Sequence, residues 1–87
     1  MTKSEKRIRV REVEVELLEK MRQTFPQIQL AETEELPSGT FILHLYAPYE
    51  DKMGILESVS SRLVELIDEG LDVMVLPHSQ NPVKHAA

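Results

Sequence analysis

The segment from residue 40 to residue 47, Thr-Phe-Ile-Leu-His-Leu-Tyr-Ala, constrains the fold of this chain more than any other part. It is the richest run of β-branched and aromatic residues, and turn-forming residues bound it at 37–39 and at Pro48. This pattern predicts a β-strand inside a sheet. Alternation puts the side chains on two faces, with Phe41, Leu43 and Leu45 on one and Ile42, His44 and Tyr46 on the other. Because both faces are largely apolar, neither is suited to bulk water.

The length and composition predict a single small domain. A chain of 87 residues lies near the lower size limit for folding without a metal or disulfide. Cysteine is absent, which excludes disulfides, thiolate catalysis and cysteine-ligated zinc. No apolar run approaches the roughly 20 residues of a membrane helix, and the polar start of the chain leads into no signal segment. We therefore expect a cytoplasmic protein with an aliphatic core and no membrane partner.

The net charge of −5 is unevenly distributed along the chain. Residues 1–11 carry five basic side chains and one acidic side chain, a charge of +4, whereas residues 12–87 carry five basic and fourteen acidic ones, a charge of −9. A basic segment on an acidic body is one pattern of nucleic-acid-binding proteins. The acidic body would repel phosphate groups, however. The pattern favours attraction of the basic segment to its own body or to a second subunit.

The N-terminal third of the sequence allows three interpretations. Polar and apolar residues alternate from Arg7 to Arg11, which predicts a short strand at residues 6–11 followed by a helix at 12–25. A single helix from about residue 4 is the first alternative, and a longer bulged strand is the second. Pro26 ends the helix in either helical interpretation. The apolar face of that helix would carry Val13, Leu17, Leu18, Met21 and Phe25.

The rest of the chain predicts four further elements. They are an edge strand at 28–32, a strand at 40–47, a helix at about 50–69 and a strand at 71–76 that stops at Pro77. The apolar arc of the helix comprises Ile55, Leu56, Val59, Leu63, Leu66 and Ile67. A strand, a helix and a second strand with short connections form a crossover unit, so the strands at 40–47 and 71–76 should be parallel.

Together these elements predict an α+β two-layer sandwich. The expected order is the ferredoxin-like β-α-β-β-α-β, with both helices on one face of a four-stranded antiparallel sheet. The alternative is α-β-β-α-β, in which an N-terminal helix replaces the first strand. We expect a flexible N-terminus at residues 1–5, a single domain at 6–77 and a flexible tail at 78–87.

The sheet face without helices is the predicted contact surface. In the ferredoxin-like arrangement this face carries basic, aromatic and aliphatic side chains from three strands. They are Arg7, Arg9, Arg11, Ile42, His44, Tyr46, Asp72, Met74 and Leu76. An exposed apolar patch usually marks a partner or ligand surface. Homodimers are the commonest oligomers, so the favoured partner is a second copy of the chain.

The leading functional hypothesis is a small non-enzymatic module for interaction or regulation, which acts as a homodimer and needs no cofactor. One alternative is a sensor that binds an amino acid or another small anion near Arg9, His44 and Tyr46. Another is a nucleic-acid accessory protein that uses its basic N-terminal segment. An enzyme that uses His44 and Tyr46 is a further alternative, although no motif assigns a catalytic residue. We predict no metal site: of His44, His78 and His85, only His78 and His85 are near in sequence, and their spacing fits no regular element.

Overall fold

Two helices pack on one face of a three-stranded sheet in a computed structural model that describes residues 2–79. The predicted α+β class is confirmed. The elements in chain order are α1 (Lys3–Thr24), β1 (Gln29–Glu35), β2 (Phe41–Ala47), a 3-10 turn (Tyr49–Asp51), α2 (Lys52–Asp68) and β3 (Val73–Ser79). The observed order is therefore α-β-β-α-β, which is the alternative to the ferredoxin-like arrangement.

The predicted strand at residues 6–11 is wrong, because these residues belong to α1. Thr2 caps the helix reciprocally with Glu5, since the side chain of each accepts a hydrogen bond from the backbone N–H of the other. The helix thus includes residues 3–5, which we expected to be flexible. The alternation around Arg7–Arg11 was misleading because Ile8 is 63% exposed. The buried positions instead follow helical spacing, at Val10, Val13, Leu17 and Met21.

The sheet is mixed rather than antiparallel, with the order β1-β2-β3. β2 is central and pairs antiparallel with β1, through a turn in which Gly39 adopts a φ of 94°. A left-handed φ of this kind is the conformation that glycine adopts without steric cost. β2 and β3 run parallel after the crossover through α2, as predicted, and they pair directly with each other. Without the predicted first strand, β1 and β3 are the two edges of the sheet.

β3 continues past the predicted stop at Pro77. Pro77 pairs with Leu45, and the strand runs on through His78 to Ser79. Proline lacks an N–H group, but an edge strand forms ladder hydrogen bonds on one side only and can accommodate it. His78 and Ser79 therefore belong to the sheet rather than to the predicted tail. Residues 80–87 of that tail lie outside the described residues.

One aliphatic core fills the space between the sheet and the helices. Both helices and all three strands or their flanking residues contribute to it, and the buried side chains are apolar throughout the described part of the chain. From β2 the core receives Phe41, Leu43, Leu45 and Ala47. The packing also explains a glycine near the start of α2, because a Cβ atom on Gly54 would come within 2.6 Å of the ring of Phe25. Gly54 therefore serves close packing of the chain around the end of α1.

A charged network joins the two helices on the outside of this core. Arg62 of α2 binds Glu16 of α1 through two hydrogen bonds, Nε to Oε2 at 2.5 Å and Nη2 to Oε1 at 3.2 Å. Arg9 of α1 bonds to Glu69, just beyond α2, at 3.2 Å. The Arg62 guanidinium lowers the pKa of Glu16, chiefly through its hydrogen bonds. Bidentate geometry makes this pair stronger than a typical surface ion pair.

We expect Glu16→Gln to lower the free energy of unfolding at neutral pH but not in acid. The pKa of Glu16 in the folded state lies below its ordinary value of 4.5. The carboxylate therefore stabilises the fold above that pH, and this stabilisation disappears as the pH falls through the lowered pKa. Urea unfolding of both proteins from pH 7 to pH 2.5 measures the difference. Glu19→Gln, at an exposed position on the same helix, serves as the control. A difference between Glu16→Gln and the parent chain that is constant with pH would contradict the expectation.

Candidate functional site

The sheet face opposite the helices carries one side chain from each strand in three successive rows. We refer to this surface as the open face. Its rows, from β1 to β3, are Glu34-Ile42-Met74, Glu32-His44-Leu76 and Gln29-Tyr46-His78. The structure thus brings together five of the six non-arginine residues predicted for this surface, all except Asp72, which precedes β3. Met74 is 51% exposed and Leu76 is 42% exposed. The β2 and β3 half of the open face is therefore a largely apolar surface in contact with solvent.

A hydrogen-bonded chain of three side chains crosses the open face. Nε2 of His44 lies 2.8 Å from Oε1 of Glu34 on β1, and Nδ1 of His44 lies 2.9 Å from Nε2 of His78 on β3. The two imidazole rings are nearly parallel, and the ring of Tyr46 lies 6.1 Å from that of His78. The side chain of His44 is only 16% exposed. The cluster is thus partly shielded from solvent, although it lies on the side of the sheet that the helices leave uncovered.

With both imidazoles neutral, the Glu34 carboxylate sets the direction of the hydrogen bonds in this chain. The Glu34 carboxylate only accepts hydrogen bonds, so Nε2 of His44 must donate to it. In a neutral imidazole the other nitrogen, Nδ1, then has a free lone pair. In this neutral state Nε2 of His78 is the donor in the contact with His44. The Glu34 carboxylate thus fixes the tautomer of His44. The lone pair on Nδ1 of His44 then faces the N–H group of His78.

The three arginines predicted for this face lie elsewhere. Arg7, Arg9 and Arg11 are residues of α1, in the helix layer on the opposite side of the sheet. Arg7 donates to Glu35 at 2.9 Å. Arg9 bonds to Glu12 and Glu69. The predicted position of these arginines on the open face is therefore wrong, because residues 7–11 belong to a helix and not to a first strand. Instead, the rim at β1 is acidic.

Sequence reasoning missed Glu34 and His78 as members of the site. A bulge between Leu30 and Glu32 shifts the alternation of β1 by one residue. As a result Thr33 turns toward the helices, where it donates to the Glu14 carboxylate, and the flanking glutamates turn to the open face. The sequence does contain a signal for this shift, because threonine tolerates partial burial far better than glutamate does. His78 was missed because the predicted strand ended at residue 76, two residues before it.

A second exposed apolar surface runs along α2. Ile55, Val59 and Leu66 are buried as predicted. Leu56 and Ile67, which we assigned to the same arc, are exposed together with Met53 and Val64. At about 100° per residue these four side chains are centred about 120° from the buried positions, on the side of α2 away from α1. We call them the α2 stripe. Because α2 packs over β3, the α2 stripe points out beyond the β3 edge of the sheet.

A shallow groove lies in the helix layer, where α1 meets the turn between β1 and β2. Lys3 and Lys6 line it together with Ser38 and Gly39, and its volume is about 230 Å³. The groove places part of the basic N-terminal segment beside polar turn residues. It is separated from His44 and Tyr46 by the thickness of the sheet, so the basic segment and the histidine cluster do not form one site.

The described part of the chain contains neither a membrane-spanning helix nor a cluster of metal-ligating side chains. Neither helix within residues 2–79 has the length and apolar composition needed to cross a membrane. In the same range, no group of three or more histidine or acidic side chains is arranged to hold a metal ion. His85, the third histidine of the predicted set, lies outside the described residues.

The chain matches no protein-family model, no curated protein and no solved structure at a significant level.

Proposed function

We propose that the protein is a small non-enzymatic interaction module that forms a homodimer through the open face. The observation that supports this most directly is the continuous exposure of Tyr46, Met74 and Leu76 on adjacent strands, beside Ile42. When another surface covers this face, these apolar side chains are removed from water, and their burial is favourable. A second copy supplies an identical apolar surface without a further gene product or cofactor.

The charges on the open face suit a two-fold arrangement. If the two sheets pack face to face about an axis parallel to the strands, β1 of one copy lies over β3 of the other. Gln29 at the β1 margin would then lie over His78 at the β3 margin of the second copy, with Glu32 one row away as the nearest carboxylate. A two-fold interface repeats each such contact twice. The proximity of Glu32 to His78 of the second copy therefore favours this overlay.

The size of the open face predicts weak association. Three strands of seven residues each cover roughly 14 Å by 23 Å, or about 320 Å² in plan. Stable interfaces bury about 800 Å² on each partner. We therefore expect a dissociation constant in the micromolar range or weaker, so that the module would exchange between monomer and dimer as its concentration changes.

The test compares two charge substitutions on the two exposed apolar surfaces. Met74→Glu places a carboxylate on the open face, and Val64→Glu places one on the α2 stripe, where Val64 is 60% exposed. We expect Met74→Glu to weaken dimerisation at least about 30-fold, because it puts like charges opposite each other and removes apolar contact. Val64→Glu should leave the dissociation constant within about threefold of the parent chain. Sedimentation velocity from about 1 to 500 μM measures all three proteins.

Two outcomes would contradict the proposal. One is a parent chain that stays monomeric at the highest concentration. The other is loss of dimerisation in Val64→Glu but not in Met74→Glu, which would assign the contact to the α2 stripe and the β3 edge. Tyr46→Ala provides a second variant of the open face, with a smaller loss expected because it only removes contact area.

The ligand-sensor hypothesis is the second candidate, and the histidine cluster favours it. Arg9 is engaged with Glu12 and Glu69 on the other side of the sheet, so an anion near His44 and Tyr46 would lack that partner. A thermal-shift screen with amino acids and phosphate tests this candidate, since a ligand that binds only the native state raises the melting temperature. The nucleic-acid hypothesis depends on the α1 cations and predicts oligonucleotide binding that weakens steeply with salt.

A further inference from the structure

We propose that the hydrogen-bonded side chains of Glu34, His44 and His78 take up one proton per molecule between about pH 8 and pH 6, and that this uptake strengthens dimerisation through the open face. The inference rests on the proposed homodimer and adds a regulation of its contact surface by pH. His44 lies in the middle row of the open face and His78 in an outer row, so both rings would lie inside the dimer interface.

The two rings can accept one proton without losing a hydrogen bond. In the neutral state Nδ1 of His44 accepts from Nε2 of His78 at 2.9 Å. After one ring has taken up a proton, one of these two nitrogens still donates and the other still accepts, whichever ring carries the charge. Nε2 of His44 continues to donate to Glu34 at 2.8 Å. The added positive charge is thus stabilised by a carboxylate in a site that is partly shielded from water.

A second proton on the same two rings is opposed by this geometry. With both imidazoles protonated, Nδ1 of His44 and Nε2 of His78 would each carry a hydrogen atom, and the hydrogen bond between them would be lost. Two positive rings would also lie with their centroids 5.1 Å apart. We therefore expect the pair to titrate as one site, which takes up a single proton near neutral pH.

The other charged groups around the two rings are acidic. Glu32 and Glu34 face them from β1, and Tyr46 contributes an aromatic ring from β2. Asp72 precedes β3 and accepts a hydrogen bond from Thr40 instead. Within residues 2–79 no lysine or arginine lies in the three rows of the open face, because both helices are on the other side of the sheet. In the neutral state of the histidines, the open face is therefore negatively charged.

The sign of the pH dependence follows from these charges. In the proposed dimer two negatively charged open faces meet, and like charges brought together oppose association. One proton on each chain cancels one negative charge, so the protonated faces repel each other less. The dimer therefore binds the protons more tightly than the monomer does. By linkage, the dissociation constant of the dimer falls as the pH falls through the titration range of the pair.

Sedimentation velocity of the full-length chain at pH 8.0 and pH 6.0 tests this inference. We expect the dissociation constant to be about tenfold lower at pH 6.0. The double variant His44→Gln with His78→Gln keeps polar side chains at both positions but has neither imidazole. Its dissociation constant should differ by less than about twofold between the two pH values. His85→Gln is the matched control, because it removes the remaining histidine of the chain, and it should retain the full dependence.

Glu34→Gln distinguishes a charge effect from a purely structural role of Glu34. The amide oxygen can still accept the hydrogen bond from His44, but the negative charge is removed. The variant should therefore dimerise about threefold more tightly than the parent chain at pH 8.0. Weaker dimerisation of Glu34→Gln at pH 8.0 would contradict the inference, because it would mean that the contact itself matters more than the charge.

The outcomes separate this inference from the proposed function. A parent chain that dimerises equally or more weakly at pH 6.0 overturns the inference and leaves the dimer in place, and so does a pH dependence that the double variant retains or that His85→Gln loses. A chain that is monomeric at both pH values overturns the proposed function, and the inference falls with it. NMR of the dilute parent chain needs no variant. The ring signals of His44 and His78 should shift together in one step, and two independent full steps above pH 6 would overturn the shared site.

Discussion

Val13→Asp should unfold the protein, or lower its free energy of unfolding by more than about 4 kcal/mol. Val13 has no exposed surface and lies on the buried side of α1 between Val10 and Leu17. An aspartate there would bury a charge without a partner in an aliphatic core. The total stability of a domain of this size is only about 5–10 kcal/mol. Circular dichroism during urea titration measures the loss.

Val15→Asp is the matched control for this prediction. Val15 is only two residues away but is 58% exposed, because it lies on the outer side of α1. Valine and aspartate have similar helix propensities, so the substitution itself changes little in the helix. We expect an effect within about 0.5 kcal/mol. The pair also tests the secondary structure, because in a strand Val13 and Val15 would share one face and both variants would destabilise the protein alike.

The elements with unambiguous periodicity could be predicted from the sequence. The strand around Leu43 and the helix from about residue 50 both occur, since each combines a clear apolar pattern with a defined stop. The parallel alignment of β2 and β3 followed from the short connections. The first element was assigned wrongly because five residues of alternation at 7–11 fit a strand, whereas the capping box at Thr2 and Glu5 and the spacing of Val10 and Val13 fit a helix. The longer pattern prevailed because it buries more apolar surface.

Predicting the open face required only the correct central strand. Ile42, His44 and Tyr46 share it because strand alternation is independent of the neighbouring elements. The contacts of His44 depended on details that alternation does not reveal. The bulge in β1 turns Glu34 toward the histidine, and the continuation of β3 past Pro77 brings in His78. A bulge changes the pairing by a single residue, and a one-residue shift moves every later side chain to the opposite face.

Leu43→Ala is expected to lower the free energy of unfolding by about 2–5 kcal/mol. Leu43 is fully buried at the centre of β2, opposite Thr33 on β1 and Val75 on β3. Truncation leaves a cavity beneath both helices that the three-stranded sheet cannot close by shifting an edge strand, because β2 is paired on both sides. The rest of the core is largely aliphatic, so few large side chains are available to refill the space. Urea unfolding at low micromolar concentration, where the monomer dominates, measures the effect.

Leu76→Ala shows how much of the expected loss in unfolding free energy comes from burial, because Leu76 lies in the same sheet but is exposed. It removes the same atoms from the neighbouring strand, but on the open face, where the leucine is 42% exposed. In the monomer the loss should stay below about 1 kcal/mol, since the alanine leaves no enclosed cavity. At high concentration the same variant should weaken dimerisation, because Leu76 belongs to the proposed contact surface. Equal losses for both leucines in the dilute monomer would mean that the open face is covered within one chain, and the basis for a contact surface there would disappear.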